Sequence, residues 1–316
     1  MRSKLNRFAK VAPLSALAAV IAFTPALAGI DAPSQAVLDK ARAASGESAW
    51  AKFNFVRYTV HLATSGLEGT AETLIDARSG IDRNTYDLKV DKGADGYDGK
   101  TIWHQDGSGQ VTVQGSEDAV KGTANNVYAN VRGYFHADKW PADISYSGTK
   151  SANGHSYDVL RVTAKGGRPV DMWFDAQTHL LGRTVEQSAQ QTNTTIFSDY
   201  RKYAGAMFAY KFLQTTGEVK YDTALNLDNI SLENAVPKGT FSPPPPPKRD
   251  FGFAGADKAT TVPFQLINNH MYVAVKLNGK GPYEFLFDTG GRNVMTPTIA
   301  KELGIKTEGA LKGGGV

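Results

Sequence analysis

The chain has 316 residues, which favours two domains, and its 41% hydrophobic and 21% charged residues are typical of a globular protein. Its formal net charge of +4 comes from four basic residues before position 28, so the rest of the chain is neutral and gives no electrostatic reason to expect nucleic acid as a partner. Cysteine is absent, which excludes disulfides, thiol nucleophiles and cysteine-ligated metal centres.

The first segment, residues 1–28, predicts a cleaved signal peptide. Met1 to Lys10 is basic, Val11 to Phe23 is a short apolar stretch, and Ala26-Leu27-Ala28 is a small-x-small cleavage site. An uncleaved anchor helix is the alternative, but the apolar stretch is short for a membrane span and contains a proline. We therefore expect a periplasmic or secreted protein whose mature chain begins near Gly29.

A short helix opens the first predicted domain, residues 29–241. Ser34 has the side chain of a helix N-cap, and Gly46 is a typical stop. Between them, Val37, Leu38 and Ala41 share one side, which predicts that this side packs against the rest of the domain.

Strand patterns then dominate the domain. Alternation predicts a strand through Tyr58, Val60 and Leu62, and two hairpins, one from Ile102-Trp103 to Val111-Val113 and one from Met172-Trp173-Phe174 to Leu180-Leu181. One further helix is predicted after a Thr123 cap, with an apolar stripe formed by Val127, Val131, Tyr134 and Phe135. The expected fold class is mainly β, with one curved antiparallel sheet, a few helices and a concave face that needs a cover.

Several aromatic segments of this domain resemble the periplasmic lipoprotein-carrier and lipoprotein-sorting group. They are Tyr97 to His104, Trp173-Phe174-Asp175 and Ser198-Asp199-Tyr200, in that order after the starting helix. The resemblance implies an open antiparallel half-barrel with an apolar cavity, and hence an apolar ligand for this domain. The histidines are scattered and show no metal-ligand spacing, so we predict no metal site.

A proline-rich segment, residues 242–261, predicts a linker. Five consecutive prolines, Pro243 to Pro247, favour a stiff polyproline II spacer because proline fixes φ and lacks an N–H. The linker separates the first domain from residues 262–316.

The last segment carries a hairpin and a capped helix. Residues 272–277 alternate, Asn278 to Pro282 predicts a turn, and Tyr283 to Phe287 predicts a second strand. Thr296 and Gly304 predict the cap and the stop of a helix that begins at Pro297.

Asp288-Thr289-Gly290 follows the second strand directly. The stretch from Pro263 to Ile305 resembles the exported bacterial branch of the retropepsin-like aspartic proteases, which implies an incomplete retropepsin-like β domain in residues 262–316. In that family a water molecule is activated between two aspartates that share a proton, and no cofactor is needed. The resemblance implies that Asp288 is one catalytic aspartate, that Thr289 positions its loop, and that Gly290 permits the tight turn.

The functional prediction is an aspartic-type endopeptidase acting on a peptide or protein substrate. Because the sequence has one Asp-Thr-Gly and few residues follow it, we expect a fragment whose second aspartate comes from a missing C-terminal repeat or from a homodimer. The alternative is a periplasmic module that binds a lipid, an acyl chain or a lipoprotein, with a degenerate protease-like tail.

Overall fold

The computed structural model describes residues 29–247, 252, 259–288 and 294–306. The predicted signal peptide lies outside the described residues, as do Thr289, Gly290 and most of the linker beyond Pro247. Among the described helices, none combines the length and the apolar character that a membrane crossing requires.

A single open antiparallel sheet of 13 strands dominates the structure, which confirms the predicted fold class. The strands are β1 (Phe55–Thr64), β2 (Leu67–Asp76), β3 (Asp82–Asp87), β4 (Lys92–Tyr97), β5 (Ile102–Gln105), β6 (Val111–Gln114), β7 (Ala142–Ala152), β8 (His155–Ala164), β9 (Val170–Asp175), β10 (Leu181–Gln187), β11 (Thr192–Tyr203), β12 (Ala206–Thr215) and β13 (Thr223–Glu233). They follow the spatial order β6-β5-β4-β3-β2-β1-β13-β12-β11-β10-β9-β8-β7.

This order joins two meanders of consecutive hairpins, β1 to β6 and β7 to β13. The pairing of β1 with β13 unites them at the centre, from Phe55 opposite Glu233 to Thr64 opposite Thr223. Strands β6 and β7 are therefore the two edges of the sheet, although they are separated in sequence by only one connection. The sheet has the open character expected of a half-barrel.

Helices α1 (Ala32–Ser45) and α2 (Glu47–Trp50) precede the sheet. The stop at Gly46 is confirmed, since this glycine adopts a left-handed conformation with φ of 69°. The predicted cap is wrong by one turn. Asp31 caps α1 by accepting a hydrogen bond of 2.8 Å from the Ser34 backbone N–H, while Ser34 itself lies buried within the helix.

Helix α3 (Glu117–Asn130) lies between the edge strands β6 and β7 in sequence. Its cap is Ser116, whose hydroxyl accepts from the Ala119 N–H, so the predicted cap at Thr123 is wrong and Thr123 lies inside the helix. The helix ends at Asn130, before the last three residues of the predicted stripe, the first of which, Val131, is its C-cap. Tyr134 and Phe135 belong to a following 3-10 turn, Gly133–Phe135, because the chain bends sharply at Arg132 with φ of 53°.

The helices pack on one face of the sheet, which we call the concave face. One core cluster joins α1 to α3 and to the strands β7 to β9 through residues such as Leu38, Tyr128 and Leu160. A second cluster joins Phe53 and Phe208 to the centre of the sheet. These helices provide the cover that the sequence predicted for the concave face.

The opposite, convex face is crossed by the chain that leaves β13. Phe241 is only 8% exposed and lies on the aromatic ring of Phe55, with the ring centroids 6.2 Å apart. The last residue of the first predicted domain is therefore packed on the convex face. The boundaries of the predicted domains themselves stay predictions.

A three-stranded sheet follows, made of β14 (Phe264–Ile267), β15 (His270–Leu277) and β16 (Lys280–Leu286). The predicted hairpin is confirmed. Asn278 and Gly279 form its turn, and both have a positive φ, as a type I′ turn requires. Helix α4 (Pro297–Leu303) is also confirmed, with Thr296 as its cap and Gly304 as its stop. The sheet exposes much apolar surface, at Phe264, Leu266, Leu286 and Phe287.

Candidate functional site

Helix α3 crosses the concave face from one edge of the sheet to the other. The chain enters it from β6 and leaves it towards β7, and the helix contacts β5 on one side and β8 on the other. A helix in this position covers the gap between the two free edges of the sheet, β6 and β7. The space on each side of α3 is therefore where a ligand would meet the concave face.

An apolar cavity lies between α3 and the strands β8 to β10. Its volume is about 50 Å³. Its lining is almost entirely apolar and consists of Asn125, Tyr128, Ala129, Tyr134, Val162, Ala164, Val170, Met172 and Thr184. Two of these residues carry buried polar atoms without a hydrogen-bond partner, the Nδ2 of Asn125 and the hydroxyl of Tyr128. An apolar cavity with two unpaired polar atoms is unusual, because buried polar groups are normally hydrogen-bonded.

The apolar surface continues from this cavity along the concave face. Thr184 in the cavity wall lies opposite Thr195 on β11, and alternation places Phe197 on the same face two residues further. Phe197 lies opposite Phe212, which lies opposite Leu225. These three residues, which we call the apolar row, are half-buried, and the two phenylalanine rings meet edge to face with centroids 5.7 Å apart. The row offers apolar surface that the helices leave partly uncovered.

A second, polar cavity of about 280 Å³ lies on the other side of α3, against β3 to β6. Asn84 connects its two carboxylates, since its Nδ2 donates to Asp82 at 2.9 Å and to Asp95 at 3.2 Å. The Thr73 hydroxyl donates to the Asn84 Oδ1 at 2.6 Å, which fixes the orientation of the amide. His104 lies opposite Asp95 in the register and lines the same cavity.

Burial dominates the electrostatics of this polar cavity. It raises the pKa of Asp82 to about 6, and the charge of Asp95 adds to the effect while the Asn84 hydrogen bond opposes it. Burial also raises the pKa of Asp95, against the influence of Asn84 and His104. The carboxylates are thus held in a poorly solvated place without a Lys or Arg among the described residues that line the cavity.

The predicted catalytic residues lie elsewhere. Asp288 lies two residues after the end of β16 and is exposed, while Thr289 and Gly290 lie outside the described residues. Their predicted catalytic roles therefore stay predictions. In the described part of the chain, no group of three or more His, Asp or Glu side chains is arranged to hold a metal ion.

Comparison with known proteins finds no matching family model and no matching curated protein. Solved structures do match. A putative outer membrane lipoprotein-sorting protein domain from Vibrio parahaemolyticus is 12% identical, covers 66% of this chain and 97% of its own, and has a TM-score of 0.45. A DUF1329 family protein from Desulfovibrio piger is 15% identical with the same coverage of both chains and a TM-score of 0.46. A LolA superfamily protein from Nitrosomonas europaea is 12% identical, again with 66% and 97% coverage, at a TM-score of 0.45.

The predicted function as an aspartic endopeptidase, and with it the description as a hydrolase and protease, is wrong by this comparison. The three solved structures reported above are named for lipoprotein sorting, for the DUF1329 family and for the LolA superfamily, and none of them is named as a protease. In the described part of the chain, the two cavities above lie on the 13-stranded sheet, whereas Asp288 comes after the three-stranded sheet and is exposed.

The sequence prediction missed Asn125 and Tyr128. It assigned the apolar stripe of the helix to Val127, Val131, Tyr134 and Phe135, and it made no statement about Asn125 or Tyr128. The structure makes Asn125 and Tyr128 the buried residues of α3. The available signal was their spacing, since residues three apart lie on the same side of a helix.

Proposed function

We propose that the half-barrel binds an apolar ligand, a lipid or the acyl chain of a lipoprotein, on its concave face beneath α3. The observation that carries this proposal is the apolar cavity, which lies under a helix that crosses between the two open edges of the sheet. A closed barrel or a fully packed core would offer no such entrance.

The size of the ligand follows from the surface next to the cavity. The cavity of about 50 Å³ is smaller than a long acyl chain needs, because a single water molecule already takes up about 30 Å³ of liquid volume. The apolar row of Phe197, Phe212 and Leu225 extends the apolar surface away from the cavity wall. A chain that enters beneath α3 would continue along this row, with α3 moving outward to admit it.

The place of action follows from the sequence. The signal-peptide pattern in residues 1–28 supports export, and the proposed ligand would then be met in the periplasm. No catalytic step is part of this function. Binding relies on the removal of apolar surface from water.

The experiment measures binding of the fluorescent apolar probe 1-N-phenylnaphthylamine to the full chain. We expect saturable binding that an unlabelled long-chain acyl ester displaces. The variant Val170→Trp fills the apolar cavity and should weaken binding about tenfold, which is the loss of roughly 1.4 kcal/mol.

Val113→Trp is the matched control, because Val113 is 70% exposed and lies opposite Trp103 on the convex face. It should bind the probe like the unaltered protein. Absence of saturable binding by the unaltered protein, or equal affinity in the two tryptophan variants, would contradict the proposal.

A further inference from the structure

The two unpaired polar groups beneath α3 are built into the fold. Asn125 is 8% exposed and Tyr128 is 7% exposed, yet the Nδ2 of the first and the hydroxyl of the second have no hydrogen-bond partner. The two residues are one turn apart on the same side of α3, and both line the apolar cavity. The wall of one small space therefore contains two side chains that each carry an unpaired donor.

Two glycines make room for these side chains. A Cβ at position 167 would lie 2.0 Å from the Oδ1 of Asn125, and a Cβ at position 133 would lie 2.4 Å from the ring of Tyr128. Any side chain at either position would displace its polar neighbour. The backbone thus approaches both residues closely and holds them at the cavity.

The chemistry of the pair points to an oxygen acceptor. The Asn125 Nδ2 is a donor, and burial raises the pKa of the Tyr128 hydroxyl, which keeps this group protonated and able to donate. Two donors that face one space can bind a single oxygen atom with two lone pairs.

The acceptor that fits is neutral. No Lys or Arg is among the described residues that line the cavity, and Arg168 near the start of α3 is already paired with Asp118 at 3.0 Å and Glu186 at 2.9 Å. A carboxylate would lose its hydration here without a compensating cation. An ester or amide carbonyl accepts the same hydrogen bonds without that cost.

We propose that Asn125 and Tyr128 select, among apolar ligands, those that carry a neutral carbonyl group, and that they bind its oxygen beneath α3. This inference rests on the proposed function and names the specificity of that site. The volume of the cavity, about 50 Å³, accommodates a carbonyl with the first carbons of its chain. The remainder of the chain lies along the apolar row.

The test compares three fluorescent ligands with the same chain, binding to the full-length protein. They are 1-dodecylpyrene, methyl 12-(1-pyrenyl)dodecanoate and 12-(1-pyrenyl)dodecanoate, which differ in the presence and charge of the carbonyl group. We expect the methyl ester to bind about tenfold more tightly than the hydrocarbon and more tightly than the carboxylate. Tyr128→Phe and Asn125→Leu should each reduce the advantage of the ester about threefold while the affinity for dodecylpyrene stays the same or rises.

The outcomes separate the two proposals. If dodecylpyrene and the ester bind equally well, or if both variants keep the preference of the unaltered protein, the inference is overturned while the binding function stands. Such a result would mean that water molecules fill the cavity and satisfy the two polar groups. If none of the three ligands binds, the proposed function fails and the inference fails with it. Thermal unfolding of both variants confirms that they remain folded.

Discussion

The indole Nε1 of Trp103 donates a hydrogen bond of 2.9 Å to the backbone carbonyl oxygen of Phe241, a residue 138 positions later in the chain. Trp103 is 1% exposed, so the bond satisfies the one polar atom of a large buried side chain. The chain after β13 is thereby attached to the convex face of β5. Arg83 adds a longer contact of 3.4 Å to the carbonyl of Thr240.

We expect Phe241→Ala to destabilise the first domain, because it removes a buried ring that lies on Phe55 and leaves a cavity beside Trp103. The free energy of unfolding should fall by about 2–4 kcal/mol. Urea unfolding followed by tryptophan fluorescence measures the loss. Val113→Ala, on an exposed part of the same convex face, is the control and should unfold like the unaltered protein. An unchanged midpoint for Phe241→Ala would show that the segment does not contribute to the folded domain.

A buried ion pair holds α2 to the turn after α3. The side chains of Glu47 and Arg132 are 7% and 11% exposed and lie 2.9 Å apart, and His136 lies 2.8 Å from the same carboxylate. Glu47→Gln leaves the guanidinium of Arg132 buried without its counter-charge, so the free energy of unfolding should fall by about 3–5 kcal/mol. Chemical denaturation measures this change.

The matched control for that variant is the exposed pair of Glu117 and Lys121, four residues apart on α3. Glu117→Gln should leave the unfolding midpoint unchanged, because exposed pairs contribute little. Equal effects of the two substitutions would contradict the assignment of a buried ion pair.

The polar cavity predicts a dependence of stability on pH. The pKa of Asp82 is about 6 in the folded protein against 3.8 ordinarily, so the folded state binds more protons than the unfolded state between these values. Stability should therefore fall as the pH rises from about 4 to 6, and the loss is complete above the folded pKa. Asp82→Asn removes this loss and should increase the free energy of unfolding at pH 7 by about 2 kcal/mol.

Unfolding measured from pH 4 to pH 8 tests this, with the exposed Asp143→Asn as the control. The control should keep the pH dependence of the unaltered protein. A steeper loss of stability above pH 5 in Asp82→Asn would contradict the burial of the Asp82 carboxylate.

Tyr128→Phe should stabilise the protein without ligand. The hydroxyl is buried and unpaired, so its removal relieves a desolvation cost without the loss of a hydrogen bond. We expect an increase of about 1 kcal/mol in the free energy of unfolding, which thermal or chemical denaturation detects. A decrease of similar size would indicate that the hydroxyl has a partner such as a bound water molecule.

The sequence predicted the fold class and several of the local elements, but not the packing that forms the cavities. Alternation located β1, β5, β6, β9 and β10, because half-buried strands impose a period of two on the sequence. The helix beginning at Pro297 was located because its cap and its stop are chemically distinctive. The caps of α1 and α3 were misplaced because several residues near each start have suitable side chains, and only packing decides between them.

The candidate site could not be predicted from the sequence, for a different reason. The apolar cavity depends on α3 lying across strands β8 to β10, a long-range arrangement that no local pattern encodes. The burial of Phe241 was hidden in the same way, since an aromatic residue before a run of prolines has the pattern of a linker boundary. The short Asp-Thr-Gly motif led to the prediction of an aspartic endopeptidase, because a local motif can be read from the sequence and a cavity cannot.

The central position of β1 and β13 has a consequence for how the protein folds. Each meander consists of hairpins between consecutive strands, and such hairpins form within microseconds. Joining the meanders requires contacts such as that between Arg57 and Glu233, which are 176 residues apart in sequence. Contacts of that range slow folding, so the pairing of β1 with β13 is the late step. During synthesis, one flank of β1 therefore stays unpaired until β13 has been made.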